Sequence, residues 1–344
     1  MNVLDASDSR LANLTQWVIG DLGFAGASIA PASADASFRR YFRVTRGTDS
    51  YVAMDAPPDK EDSGPFLKVA RILGGLNLNV PIVLARDMER GFMLLSDLGS
   101  RQYLDALPLD GAADELYADA LKALCTMQTA DAGISRGLPR YEHALLVREM
   151  ELLPEWFLIR HLGLMTTARE RAMLSALFES LVEAAVSQPA CFVHRDYHSR
   201  NLLITADNNP GILDFQDAVW GPVTYDLASL LKDCYIDWPP ARVRHWALQY
   251  RERLLESGFK LQADAAAFMR WFDLIGLQRH IKVLGIFARL FYRDGKSQYL
   301  NDLPRVLSYT RDTAVNYPET AAFAEFIISR IDPEFKAAQQ RAPA

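Results

Sequence analysis

Apolar residues recur at helical spacing from the start of the chain. Leu11, Leu14, Val18 and Leu22 predict a helix over 7–22, with Gly23 placed to stop it. The period then shortens to two: Phe38, Phe42 and Val44 line one side of an extended run, Arg46-Gly47-Thr48-Asp49 supplies turn chemistry, and Tyr51-Val52-Ala53-Met54 resumes the run, which predicts a hairpin. After Pro57-Pro58, Ser63 and Pro65 can open a helix whose Phe66, Val69, Ala70 and Leu73 share one side before Gly74-Gly75 ends it. Two further strands, Ile82 to Ala85 and Phe92 to Leu95, flank a turn at 87–91. Beyond Gly99 the stripes become helical, first through Leu116, Ala120, Leu124 and Met127, then through Leu174, Leu177, Phe178 and Leu181. The exception is 191–217, where Cys191-Phe192-Val193, Leu202-Leu203-Ile204 and Gly211-Ile212-Leu213 alternate with polar loops. The pattern predicts an α+β chain of two lobes. Residues 1–97 form a small antiparallel-sheet lobe with one inserted helix, and 98–344 form a larger, mainly helical lobe, with a ligand cleft expected between them.

Composition narrows the function classes. The chain has 344 residues, half of them hydrophobic and 23% charged, enough for about two domains and incompatible with disorder as the main state. A net charge of −6 gives no reason to expect nucleic acid as a partner. Three cysteines, Cys125, Cys191 and Cys234, lie too far apart and in contexts too different for a disulfide framework or a cysteine metal site. The first residues carry Asp5 and Asp8 instead of a basic and then apolar run, and no uncharged apolar segment approaches the roughly 18 residues of a membrane span. The expectation is a cytoplasmic protein with a small-molecule partner, no membrane contact and no obligate protein partner.

The densest polar cluster is His194-Arg195-Asp196-Tyr197-His198-Ser199-Arg200-Asn201, followed by Asp214-Phe215 and by Tyr225-Asp226. Asn201 and Asp214 offer the hard oxygen donors that suit Mg²⁺, which takes a few protein oxygens and completes its shell with water and phosphate. Asp196 is then free to face a hydroxyl. Phosphoryl transfer asks for this division of labour, because its catalysis consists mainly of positioning and charge neutralisation.

His194-Arg195-Asp196, with Asn201 five positions after the aspartate and Asp214 further on, resembles the catalytic loop of protein kinases and of the related aminoglycoside phosphotransferases. The resemblance implies a kinase-like fold using ATP and Mg²⁺. It implies Asp196 as catalytic base, Asn201 and Asp214 as metal ligands, His198 near the γ-phosphate, and Asp226 as a buried brace. Phe215 is followed by Gln216-Asp217, and no segment ending in Ala-Pro-Glu follows, which is closer to the small-molecule branch. Ser37-Phe38-Arg39-Arg40 occupies the position of the phosphate-covering loop but has no glycine run. By the same resemblance, Val52-Ala53-Met54-Asp55 matches the third strand of kinases and puts Asp55 where they carry a phosphate-binding lysine. Either Arg39, Arg40 or Lys60 compensates, or nucleotide binds weakly or not at all.

Ser37-Phe38-Arg39-Arg40-Tyr41-Phe42, Met54-Asp55-Ala56-Pro57-Pro58, Leu94-Leu95-Ser96-Asp97-Leu98-Gly99 and Gln278-Arg279-His280-Ile281-Lys282 resemble more closely still the anomeric N-acetylmuramate/N-acetylglucosamine kinases of cell-wall recycling. That resemblance covers nearly the whole chain. It implies phosphorylation of the C1 hydroxyl of an amino sugar, and it makes Asp55 a family trait. By position, Ser96-Asp97-Leu98 would contact the adenine.

Other residues admit plainer explanations. His194 and His198 are four apart, but no glutamate adjoins His194, so a structural role for His194 is favoured over zinc. Arg279, Lys282, Arg289 and Arg293 form a basic stripe on a long helix, ordinarily a solvated face. Arg279 and His280 are nonetheless expected at the substrate, because the lactyl carboxylate of N-acetylmuramate suits a guanidinium. Glu149, with Glu151 and Glu155, and Trp156 could bind sugar hydroxyls and stack on a pyranose; an exposed acidic helix end is the equal alternative. Two rival functions are an aminoglycoside phosphotransferase and a pseudokinase scaffold.

Overall fold

The computed structural model describes residues 8–34, 38–109, 111–135 and 137–341. The chain divides into two compact units, Met1–Asp105 with Asn201–Asp217, and Ala106–Arg200 with Ala218–Ala344.

The first unit opens with α1 (Ser9–Gln16), capped by Asp8, whose carboxylate accepts from the Leu11 N–H, and continued by a wider helical turn at Trp17–Asp21. Strands β1 (Ser28–Ala34), β2 (Arg40–Arg46) and β3 (Asp49–Asp55) follow, then α2 (Gly64–Gly75), β4 (Val83–Asp87), β5 (Phe92–Ser96) and the short α3 (Tyr103–Ala106). The sheet has the order β1-β2-β3-β5-β4 and is antiparallel throughout. The apolar stripe of α1 is buried on it: Leu11, Leu14, Trp17 and Val18 pack with Phe42, Val44, Ala53, Phe92 and Leu94 in one core. The pattern of residues does not mark β1, and the reason is visible. It is an edge strand of small residues interrupted by Pro31, where the pairing register shifts.

The second unit carries α4 (Ala112–Gln128), α5 (His143–Met150), α6 (Ala168–Val186) and β6 (Ala190–Val193). The chain then gives β7 (Leu202–Leu203) and β8 (Gly211–Ile212) to the first unit, and returns with β9 (Val219–Pro222), which pairs with β6. Helices α7 (Tyr225–Leu231), α8 (Pro240–Glu256), α9 (Ala265–Asp294), α10 (Leu303–Ala314), α11 (Ala321–Phe326) and α12 (Asp332–Arg341) complete it. The boundary expected after residue 97 differs from this division. Ile204 N–H donates to the Arg101 carbonyl and Ile212 N–H to that of Asn79, both at 2.8 Å, so the β7–β8 hairpin satisfies its backbone on the first unit.

Helix α9 is buried on nearly every side from Leu274 to Ala288. The basic stripe is therefore no solvated face along its length: Arg279 and Lys282 are interior, and Arg293 is exposed. Burial all round demands that each interior cation meet an anion or carbonyl, and both do. Cys125, Cys191 and Cys234 are buried free thiols. Among the described residues no helix is long and apolar enough to cross a membrane.

Candidate active site

The loop after β6 is built around a left-handed residue. Arg195 has φ +77°, a conformation that side chains rarely adopt without outside support. Support comes from two directions within the second unit. The fully buried carboxylate of Asp226, in the first turn of α7, accepts from the N–H groups of His194 (2.6 Å) and Arg195 (3.0 Å). From α9, Arg279 Nη1 donates to the Arg195 carbonyl at 2.7 Å. His194 is also fully buried; its Nδ1 accepts from the Asp196 N–H at 3.3 Å.

Asp196, the next residue, has a side chain 37% exposed, with Arg279 Nη1 3.9 Å from Oδ1. Burial alone would raise its carboxyl, but Lys282, Arg279, His198 and Arg195 outweigh that and hold it at about 2. It is a carboxylate at any physiological pH. Downstream, Ser199 donates from N–H (2.9 Å) and hydroxyl (2.5 Å) to the buried Asp233, which fixes the rest of the loop. His198 stands edge-on to Tyr235, and burial lowers its pKa despite Asp233 and Asp196, so the ring is neutral. The Arg200 guanidinium covers the other aromatic surface, 3.6 Å from the Tyr235 ring centre.

The expected substrate residues have different settings. Glu149 is 6% exposed and saturated: it accepts from Tyr141 and Arg195, pairs with Lys282 at 3.0 Å, and meets Gln278 Nε2 at 3.4 Å. Burial pushes its carboxyl up, and Lys282 and Arg195 more than reverse that, so it stays ionised as the counter-ion of two interior cations. His280 is fully buried, its ring stacked on Tyr309 at 5.1 Å and its Nε2 2.9 Å from the Lys232 carbonyl. Its surroundings are protein, which corrects its placement at a substrate. Arg279, 4% exposed, is likewise interior. Trp156 is partly exposed and carries the Arg160 guanidinium 4.3 Å from its ring centre.

In the first unit, Leu213 N–H donates to the Asn201 carbonyl at 2.9 Å and brings two loops into register. Asp214, at φ +62°, receives Gln216 Nε2 on Oδ1 at 2.6 Å, while Asn201 Nδ2 lies 3.4 Å from Oδ2. The two side chains end about as far apart as neighbouring oxygens on an octahedral Mg²⁺, which at ~2.1 Å from the ion are ~3 Å from each other. A half-turn of the Asn201 amide presents its oxygen instead. Among the described residues no group of three or more His, Cys, Asp or Glu could hold a metal. One carboxylate and one amide therefore fit a cation that keeps water and phosphate in its shell, and not one needing a full protein cage. Phe215 stacks on Phe66 at 5.0 Å and ties this loop to α2.

Of the residues expected at the phosphates and adenine, Ser37 lies outside the described residues. Phe38 is 64% exposed and its N–H donates to Glu61 at 3.1 Å. Arg39 is 8% exposed and paired with the same Glu61 at 3.0 Å. Arg40 is committed to Asp55 and Asp8. Lys60 is exposed beside Asp59. Ser96 Oγ accepts from the Ile82 N–H at 2.8 Å, and Asp97 accepts from Arg43 (2.7 Å), Ser50 (2.5 Å) and the Gly99 N–H (2.9 Å), so both side chains serve the strand end. Leu98 adjoins Gly211.

Glu61, Lys282 and Tyr225 were not singled out from the sequence as partners of this machinery. Glu61 lacks a periodic context, and Lys282 is masked by the look of a solvated stripe. Only pairing across the fold identifies them.

Residues 28–272 match the model of the phosphotransferase enzyme family, APH. The chain is 48% identical over 304 residues to the N-acetylmuramate/N-acetylglucosamine kinase of Pseudomonas aeruginosa PAO1, covering 88% of each chain. It is 45% identical over 330 residues to the protein of the same name from Pseudomonas putida KT2440, covering 93% of this chain and 96% of that one. Among solved structures, ADP-bound aminoglycoside phosphotransferase APH(2'')-Ib superposes with a TM-score of 0.58 at 15% identity, covering 90% of this chain and 99% of that one, a likeness of fold.

Proposed function

The chain belongs to the phosphotransferase enzyme family, and from that footing we propose that it transfers the γ-phosphoryl group of ATP to the anomeric C1 hydroxyl of N-acetylmuramate and N-acetylglucosamine. The observation that carries the reading is the meeting of Asn201 with Asp214, 3.4 Å apart, on the loops that follow a partly exposed, permanently ionised Asp196. The names borne by the relatives supply the sugar.

In this mechanism Asp196 accepts a hydrogen bond from the sugar hydroxyl and aligns its oxygen for attack on the γ-phosphorus. The new O–P bond forms as the bond to the β–γ bridging oxygen breaks, and ADP leaves with that oxygen. The hydroxyl proton passes to an Asp196 oxygen. A carboxyl held near 2 is a weak base, so the proton moves late, when the sugar oxygen is already bonded to phosphorus and has become strongly acidic. Mg²⁺ held by Asn201 and Asp214 would neutralise charge on the nucleotide phosphates. Arg39 is the cation of the covering segment not engaged by Asp55; its pairing with Glu61 gives it a fixed position.

The test is ADP release with Mg-ATP and, in separate reactions, N-acetylmuramate, N-acetylglucosamine and kanamycin, read together with a reducing-sugar assay. Turnover with both amino sugars, with reducing ends lost in step with ADP formed, is the expected outcome. Turnover on kanamycin alone favours an antibiotic kinase, phosphorylation with reducing ends intact excludes C1, and no turnover favours a scaffold.

A further inference from the structure

Arg279 has the position of a lever on the catalytic loop and not of a ligand to the sugar. Its side chain is 5% exposed, which leaves little surface for an acceptor. Its Nη1 is spent on the Arg195 carbonyl (2.7 Å) and the Tyr225 hydroxyl (3.3 Å). Across the same left-handed residue, Asp226 takes the N–H groups of His194 and Arg195. Both polar ends of the Arg195 backbone are thus held by buried side chains, Asp226 on α7 and Arg279 on the 30-residue α9. Tyr225 joins the two supports, because it precedes Asp226 in the chain and accepts from Arg279. Asp196 is the next residue, and its carboxylate lies 3.9 Å from the same Nη1.

We propose that Arg279 is a positioning residue: it fixes the Arg195 carbonyl, so that with Asp226 it clamps the peptide preceding Asp196 and sets the direction of that carboxylate. This deepens the reading of Asp196 as the base and rests on it. An alternative use of Arg279, holding the lactyl carboxylate of N-acetylmuramate, makes an opposite kinetic demand, because N-acetylglucosamine has no such group.

Steady-state kinetics of the wild type, R279Q, R279K and D196N with both sugars separate these outcomes. A misdirected reacting group costs about 10²-fold in rate. R279Q is therefore expected to lower kcat by about 10²-fold equally for both sugars, with each sugar KM within about twofold of wild type. R279K is expected to recover roughly tenfold of that, since an ammonium can still donate to the carbonyl but lacks the planar fork. A KM raised only for N-acetylmuramate, or an unchanged kcat in R279Q, overturns the proposal. If R279Q does not fold, R279K decides: a kcat loss shared by both sugars supports the clamp, and wild-type kcat overturns it. Near-normal kcat in D196N removes the base itself, whereas an inactive D196N beside a fully active R279Q sinks the inference about Arg279 alone.

Discussion

Arg40 and Asp55 stand directly opposite each other on β2 and β3, and their side chains meet at 2.5 Å over a carboxylate that also receives Arg10. Asp55 is fully buried, and Arg40 reaches on to Asp8 at the cap of α1. Asp55, which the resemblance sets against the lysine of kinases, is the anion of a network that binds the first helix to the sheet. The network is structural, and in the proposed reading the cation at the phosphates comes from elsewhere.

Replacing Asp55 by lysine should therefore not improve nucleotide binding. It places a third cation between Arg10 and Arg40. D55A leaves two partly exposed arginines that can still find water, so its cost is expected at about 2–3 kcal/mol, below that of a fully buried broken pair, with D55K costing more. Urea denaturation of the two variants checks the order. A D55K protein as stable as wild type contradicts it.

Gly285 lies where α9 passes Leu152. A Cβ there would sit 2.4 Å from the Leu152 carbonyl carbon and 2.6 Å from its oxygen, and backbone cannot step aside as a flexible side chain can. G285A is expected to cost about 3 kcal/mol, although alanine is otherwise the better helix former. A melting temperature at or above that of wild type would show that α9 can shift without penalty.

Acid should cost the fold stability at buried His280, against an opposite contribution from Asp226, whose carboxyl burial raises to about 7. Burial, with Lys232 and Arg279 nearby, lowers His280 to about 3. Below pH 6.5 the unfolded chain takes up a proton there that the folded chain refuses. The stability is present above 6.5 and is lost as pH falls toward 3, about 2 kcal/mol of it by pH 5. His198 is shifted in the same direction. Denaturation of wild type and H280Q between pH 7.5 and 5 tests this: the variant starts less stable but has the shallower slope. Parallel slopes would mean that His280 is protonated in the folded protein.

Much of the scaffold was legible because it rests on short-range pattern. The stripe of α1, the β2–β3 hairpin around Gly47, α2 between Pro65 and Gly75, and β5 follow from periodicity and turn chemistry. The loop sequence from His194 to Asn201 with Asp214 suggested phosphoryl transfer because residue types and spacing coincide with that chemistry. Roles set by long-range pairing were not legible. Glu149 looks like an exposed acid until Lys282, Arg195 and Tyr141 surround it, and Arg279 looks like a free guanidinium until the Arg195 carbonyl is found against it. The left-handed backbone at Arg195 and Asp214 has no signature in residue types that usually avoid it or merely tolerate it.

The central claim is that Asp196 handles the acceptor hydroxyl while Asn201 and Asp214 serve the metal-bound nucleotide. Single-turnover product formation at saturating Mg-ATP and N-acetylmuramate, with nucleotide affinity measured calorimetrically on the same preparations, addresses it directly. D196N should form product at least about 10²-fold more slowly with Mg-ATP affinity near that of wild type, whereas D214A should lose the magnesium-dependent part of that affinity. A D196N protein that turns over at nearly the wild-type rate, or a D214A protein that binds Mg-ATP as the wild type does, contradicts the account.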